Sequence, residues 1–273
     1  SALSQLTGLP RRILDDRVSL DLNALRAHFT GRGMGQGEAI ECLVERVAMI
    51  KAALTDPTRP FGVFLFAGPT GTGKTEIAKA LADFLFGSQD RMIRLDMSEF
   101  KTVESVDRIL GETGERSDSS ALVNQIRKQP FSVILLDEFE KAHPNIWDLF
   151  LQVFDDGRLS DKQGNTANFR HTIIILTSNL GATVQVGSSL GFNSAAGDFT
   201  ITDVEKAITK TFRREFVNRL DRVVIFRPLS RSVMRTILHS ELNQTLQRRG
   251  LRNREWAVEW EDSAVEFLLE KGF

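Results

Sequence analysis

The sequence predicts an α/β fold: three layers on a parallel central sheet, followed by a small all-helical unit. Three observations predict it. Short apolar runs alternate with helical patterns, a glycine-rich phosphate-loop pattern joins one such run to a helix, and after Pro228 only helical patterns remain. Buried strands alternating with helices are the pattern of a parallel sheet covered on both faces.

The elements follow in order. Residues 1–30 mix Leu, Arg and Asp without a clear period, and Gly31–Gly37 is a glycine-rich connector. Ala39, Ile40, Leu43, Val44, Val47 and Ile50 recur at helical spacing, and Asp56–Pro60 ends that helix. Val63–Ala67 is a strand, followed by a turn and a helix from Lys74 to about Phe86. Ile93–Leu95 is a second strand. Helices are expected over Val103–Leu110 and Ala121–Gln129, with a polar loop, Gly111–Ser120, between them. Val133–Leu136 is a third strand, with a helix near Ile146–Phe154 after it. Asp155-Asp156-Gly157-Arg158 signals a turn into a hairpin. Thr172–Leu176 is a fourth strand, 183–200 a polar surface loop, Val204–Phe216 a helix and Val223–Phe226 a fifth strand. Beyond Pro228 the clearest helix is Ser232–Gln247.

Composition narrows the functional class. Of 273 residues, 41% are hydrophobic, enough for a packed core. A formal net charge of −1 gives no general attraction to nucleic acid. The longest apolar runs, at Phe61–Ala67, Val133–Leu136 and Thr172–Leu176, are too short to cross a bilayer. Cys42 is the single cysteine, which with no visible leader leads us to expect a cytosolic protein. A start at Ser1 and an abrupt stop at Phe273 lead us to expect a fragment of a longer chain.

The chemistry is carried by four patterns. Gly68-Pro69-Thr70-Gly71-Thr72-Gly73-Lys74-Thr75 matches G-x-x-x-x-G-K-[ST] in full. Its glycines let backbone N–H groups surround phosphate oxygens, and the following helix adds its positive end. Lys74 places a charge on the β/γ-phosphates and the Thr75 hydroxyl can ligate Mg²⁺. Second, Val133–Leu136 runs into Asp137 and Glu138, two carboxylates at a sheet's C-terminal edge. Asp137 can hold the metal and Glu138 can activate water as a general base. Third, Thr177-Ser178-Asn179 follows the next strand, so Asn179 can orient water near the γ-phosphate or equally end a turn or cap a helix. Fourth, Arg213–Asp221 is arginine-rich. An arginine from a neighbouring subunit can stabilise a transferring phosphoryl group, although such a cluster is by itself usually a solvated face.

Taken together, and in this order, these patterns resemble the second ATPase domain of the Clp/ClpB family of AAA+ unfoldases, from about Leu6 to Phe273. The most specific stretches are Gly68–Lys79, Arg94–Phe100, Leu135–Pro144, Leu151–Asp161, Thr177–Gly181 and Phe216–Asp221. The resemblance implies a three-layer P-loop AAA+ domain with a helical lid. Its boundaries would be a linker at 1–30, the large domain at 31–228 and a truncated lid at 229–273. It implies ATP/ADP and Mg²⁺ as cofactors. Pro69, Thr70, Gly71, Thr72, Gly73, Lys74, Thr75 and Glu76 would hold phosphates, with Gly33, Met34 and Gly35 lining the adenine pocket. Asn179 would sense the γ-phosphate, and Arg219 would be the arginine finger of a homo-hexamer acting on protein substrates.

The chain departs from the family at three places. The loop Gly111–Ser120 has no aromatic residue to grip a passing polypeptide, and the chain has no tyrosine at all. It stops before the family's second sensor arginine, so weakened nucleotide affinity and turnover are expected. Leu190-Gly191-Phe192 resembles a hook that docks onto a peptidase ring, or it is a hydrophobic anchor folding back onto the domain. The alternatives to an unfoldase are therefore a nucleotide-gated scaffold that threads nothing, or an ATPase docking a peptidase. A nucleic-acid-directed AAA+ protein fits neither the net charge nor the Clp-like stretches.

Overall fold

The computed structural model describes residues 19–33, 35–111, 121–161, 163–181, 200–247 and 258–272. Their elements are, in order, α1 (Leu22–Thr30), α2 (Gly37–Lys51), β1 (Gly62–Ala67), α3 (Lys74–Phe86), β2 (Met92–Asp96), α4 (Ser105–Leu110) and α5 (Leu122–Lys128). After them come β3 (Ser132–Asp137), α6 (Pro144–Asp156), β4 (Arg158–Ser160), β5 (Thr166–Asn168) and β6 (Thr172–Ser178). The chain continues through α7 (Ile201–Thr211), α8 (Arg214–Val217), β7 (Arg222–Ile225), α9 (Arg231–Leu246) and α10 (Asp262–Gly272).

Five strands form one parallel sheet in the order β2-β3-β6-β1-β7, and β4 and β5 make the expected antiparallel hairpin. The three inner strands are buried along nearly their whole length, which is why they read as continuous apolar runs. Side chains alternate between faces. Val63, Leu65, Ile134, Leu136, Ile174 and Leu176 join one core, with Phe150 and Phe154 of α6. Phe64, Phe66, Val133, Leu135, Ile173 and Ile175 join the other, with residues of α1, α2 and α3. The result is the three-layer α/β arrangement expected from the sequence.

Two elements differ from the sequence expectation. Within the stretch that showed no period, α1 is a regular helix. Asp21 caps it by accepting from Asn23 N–H and Ala24 N–H, and Leu25 and Phe29 are fully buried beneath it. The expected helix Val204–Phe216 is two helices. Phe212 lies in an extended conformation between them, which turns its ring into a cluster of aromatic side chains.

After β7 the chain passes through Pro228 into α9. No residue of α9 is buried, and α9 meets α10 through ion pairs of Arg231 and Arg235 with Glu266 and of Arg235 with Asp262. Among the described residues no helix is long and apolar enough to cross a membrane.

Candidate active site

The phosphate loop leaves the C-terminal end of β1, where a parallel α/β sheet presents its ligand site. Gly68 has φ +145°, and a Cβ there would lie 2.3 Å from Phe226 O, so only glycine lets the loop pass beside the end of β7. Gly73 has φ +94° and starts α3, whose first N–H groups therefore point into the loop.

Lys74 lies inside this loop, 8% exposed. Its three ammonium protons meet Gly68 O at 2.7 Å, Pro69 O at 2.8 Å and Asn179 Oδ1 at 3.2 Å. Burial pulls its pKa down to about 8, against the opposing pull of Asp137, Glu140 and Glu138. An anion in the loop would restore the charge balance that burial disturbs.

The carboxylate pair sits at the C-terminal end of β3, one strand beyond β6. Asp137 Oδ1 accepts from Thr177 Oγ1 at 2.5 Å and Oδ2 from Arg94 at 2.5 Å. The Thr177 hydroxyl also accepts from Glu138 N–H at 3.0 Å, so one side chain of β6 fixes both residues. Glu138 has φ 55° and ψ 50°, the left-handed region. Its Oε1 accepts from Asn179 Nδ2 at 2.8 Å and its Oε2 from Lys141 at 2.5 Å. Asn179 N–H in turn donates to Glu140 at 3.0 Å. A continuous line, Lys74–Asn179–Glu138, thus runs along a cavity of about 490 Å³ that Thr70–Glu76, Arg94, Asp96 and Asp137 also line, and Lys141 extends it beyond that lining.

A second cavity, of about 540 Å³, shares Gly71–Gly73 and Glu76 with the first. Gly31–Gly33 lie on one side and Leu229, Ile237, Ser240, Glu241 and Gln244 on the other. Gly33 lines it, whereas Gly35 faces Leu229 and Val233 at the start of the helical unit. Met34, most of the Gly111–Ser120 loop and Leu190-Gly191-Phe192 lie outside the described residues.

Among the described residues no group of three or more His, Cys, Asp or Glu could hold a metal ion. The donors offered are the Thr75 hydroxyl and the Asp137 carboxylate facing one cavity. That set fits Mg²⁺, which keeps much of its shell from water and substrate phosphates.

Arg219 is not brought to this cavity. It precedes β7, and Asp221 N–H bonds Val63 O, so Arg219 sits beside the N-terminal end of β1. β1 is six residues long, so roughly 17 Å of sheet separates Arg219 from the chain's own phosphate loop. Its Nε lies 3.1 Å from Asp155 Oδ2 as an ion pair that lacks hydrogen-bond geometry.

Sequence reasoning assigned no role to Arg94, Thr177, Glu140, Lys141 or Gln36. Arg94, Thr177, Glu140 and Lys141 lie inside motif stretches; the first three act across strands that only the fold brings together, and Lys141 reaches Glu138 from three residues away.

A phosphate loop at the end of β1, a polar sensor position at the end of the adjacent strand β6 and paired carboxylates at the end of β3 beyond it define a P-loop domain of the AAA+ class. The family model for the AAA domain (Cdc48 subfamily) matches residues 59–223. The chain is 41% identical to "Chaperone protein ClpB" of Vibrio vulnificus over 276 residues, 99% of this chain and 31% of that protein. It is 40% identical to "Chaperone protein ClpB 1" of Nostoc sp. over 279 residues. A solved structure, "Closed State CryoEM Reconstruction of Hsp104:ATPyS and FITC casein", superposes with a TM-score of 0.82 at 34% identity, covering 99% of this chain and 46% of that one. The chain belongs to the AAA domain family (Cdc48 subfamily) and is similar to ClpB over nearly its whole length. It spans about a third of the length of the ClpB relatives it matches.

Proposed function

We propose that this chain is the ATP-hydrolysing module of a ring-forming, Clp-type protein-remodelling ATPase. The line Lys74–Asn179–Glu138 beside the phosphate loop supports this most strongly, because it joins a phosphate-binding cation to a carboxylate base through one amide. In this proposal Lys74 and the backbone N–H groups of Thr70–Glu76, in the loop that Pro69 opens, hold the phosphates. Thr75 and Asp137 hold Mg²⁺, which neutralises charge on the phosphate oxygens. Glu138 accepts the proton of the attacking water, and Asn179 turns its Nδ2–H from Glu138 Oε1 to a γ-phosphate oxygen. Gly33 and Gly35, with Met34 on sequence grounds, form the base pocket. Residues 31–228 make up the large domain and 229–273 the beginning of the lid. Arg219 acts on the next subunit of a homo-hexamer, with a protein as substrate and the cytosol as the setting. A peptidase ring, met through Leu190-Gly191-Phe192, is a further candidate partner on sequence grounds alone.

The test is steady-state ATP hydrolysis by the full-length protein, with and without unfolded casein, at several protein concentrations. Turnover per subunit should rise with concentration and with casein. Glu138→Gln should retain ATP while losing turnover by about 100-fold or more. Near-normal hydrolysis by that variant would remove Glu138 from the role of base. One sequence observation favours a second function, a nucleotide-gated scaffold: the loop Gly111–Ser120 holds no aromatic residue. A scaffold predicts concentration-dependent hydrolysis that casein leaves unchanged.

A further inference from the structure

Gln36 occupies the N-cap position of α2 and does not cap it. Its side chain is 4% exposed, so its amide must find partners within the protein. Nε2 donates to Thr72 O at 3.1 Å and to Arg227 O at 2.9 Å, and Oε1 accepts from Arg227 N–H at 3.1 Å. These partners are far apart in sequence. Thr72 belongs to the phosphate loop. Arg227 is the last residue before Pro228, where the sheet domain gives way to helices. One buried amide therefore ties the phosphate loop to the hinge of the helical unit.

The larger cavity lies between those two tied segments. Gly71–Gly73 form one wall, and Leu229 with residues of α9 forms the other. The connector reaches the hinge at a second point, because a Cβ on Gly35 would lie 3.4 Å from Leu229 Cδ2 and 3.5 Å from Val233 Cγ1. With Thr72 and Arg227 both held by Gln36, the width of the cavity is set before a ligand arrives. Pre-organisation of this kind raises affinity by removing an ordering cost from the binding step.

We infer that Gln36 is a positioning residue for the nucleotide: it sets the spacing between the phosphate loop and the helical unit, and so tunes nucleotide affinity rather than the chemical step. This rests on the ATP-binding function proposed above. Glu138 and Asn179 hang from β3 and β6 and share no hydrogen bond with Gln36, so the chemical step has its own supports. The bond to Thr72 O also gives the hinge a direct mechanical link to the loop that the phosphates occupy.

Two variants of the full-length protein test this. Gln36→Met keeps the length of the side chain and makes none of the three bonds. Gln36→Glu keeps an acceptor for Arg227 N–H and loses both donations. The measurements are the Kd of a fluorescent ADP analogue, kcat and KM for ATP, and thermal melting. Both variants should weaken ADP and raise KM by roughly ten-fold, the order of one buried hydrogen bond, with kcat at saturating ATP falling less than about two-fold. An unchanged Kd, or a fall in kcat at unchanged KM, overturns the inference. So does a loss of binding no larger than the loss of folded protein seen by melting. If the Gln36→Met variant does not fold, Gln36→Glu carries the same comparison. Absence of ADP binding by the unaltered protein would instead count against the nucleotide function itself.

Discussion

Glu138 is one of two non-glycine residues with positive φ among the described residues, the other being Ala53. An L-residue held in the left-handed region costs about 1–2 kcal/mol relative to its ordinary conformations. Surrounding bonds hold it there: Thr177 takes its N–H, Lys141 N–H bonds its carbonyl at 2.9 Å, and Asn179 and Lys141 hold its carboxylate. The strained turn aims the carboxylate back over the end of the sheet, toward Asn179, instead of along the strand direction. A glycine fits that backbone without strain. Glu138→Gly should therefore be more stable than Glu138→Ala by about 1 kcal/mol in urea denaturation, while both lack hydrolysis. Equal stability of the two would show that the backbone at 138 relaxes once the carboxylate is gone. At this scale the sequence was most informative where chemistry demands a fixed local order. Lys74, Thr75, Asp137 and Glu138 were legible because a strand, a turn and a helix in succession suffice to position them. Thr177 and Arg94 were not, because both act on Asp137 from other strands, and strand order is a tertiary fact. Gln36 was missed for the same reason: its partners lie 36 and 191 residues away.

Between the active site and the edge that carries Arg219 lies a group of stacked rings. Phe139, the residue after Glu138, meets Phe216 with ring centroids 5.3 Å apart and Phe212 at 6.2 Å. Phe212 and Phe216 stack at 5.4 Å, and Trp147 meets Phe212 at 5.2 Å. Phe216 is in α8, three residues before Arg219, and is 1% exposed. Since α8 is only one turn long, it has little helical stability of its own, and the buried ring anchors it. Phe216→Ala should thus destabilise the fold by about 3–5 kcal/mol. Phe216→Leu should cost less in melting, yet lower ATP turnover at high protein concentration, because the arginine segment loses its stacked support. Turnover of the Leu variant that matches the unaltered protein would show that α8 is held by other contacts. The split of the expected Val204–Phe216 helix has the same origin. Helical periodicity continued through Phe212 in sequence, but burying its ring among Phe139, Trp147 and Phe216 required an extended residue there. The helix α1 was legible in hindsight from the Asp21 cap and the spacing of Leu22, Leu25 and Phe29, a pattern too short to stand out from its surroundings.

At the scale of the whole molecule, the polarity of the sheet separates the phosphate-loop site from the arginine proposed to act with it. Parallel strands put the phosphate loop, Asp137, Glu138 and Asn179 at one edge. Arg219 falls at the other, beyond the reach of its own loop. If Arg219 is the finger, a single copy carries a binding site without its arginine and an arginine without a site. A head-to-tail ring resolves this, because every interface in it presents one subunit's arginine edge to the next subunit's loop edge. Lys74→Ala removes the loop cation but leaves Arg219 intact. Arg219→Ala removes the finger but leaves the loop intact, and should lower turnover by about 10³-fold or more without weakening ADP. Each variant alone should be inactive. Mixed in equal amounts and allowed to exchange subunits, they should recover turnover, because an Arg219→Ala loop facing a Lys74→Ala finger is a complete site. With random placement, about a quarter of the sites in a ring are of this kind, which sets the ceiling for recovery. Recovery near that level requires the two residues to act across an interface. No recovery, from mixtures shown by labelled subunits to have exchanged, would place the action of Arg219 within its own chain, and a lid movement able to bridge the sheet would then have to be sought.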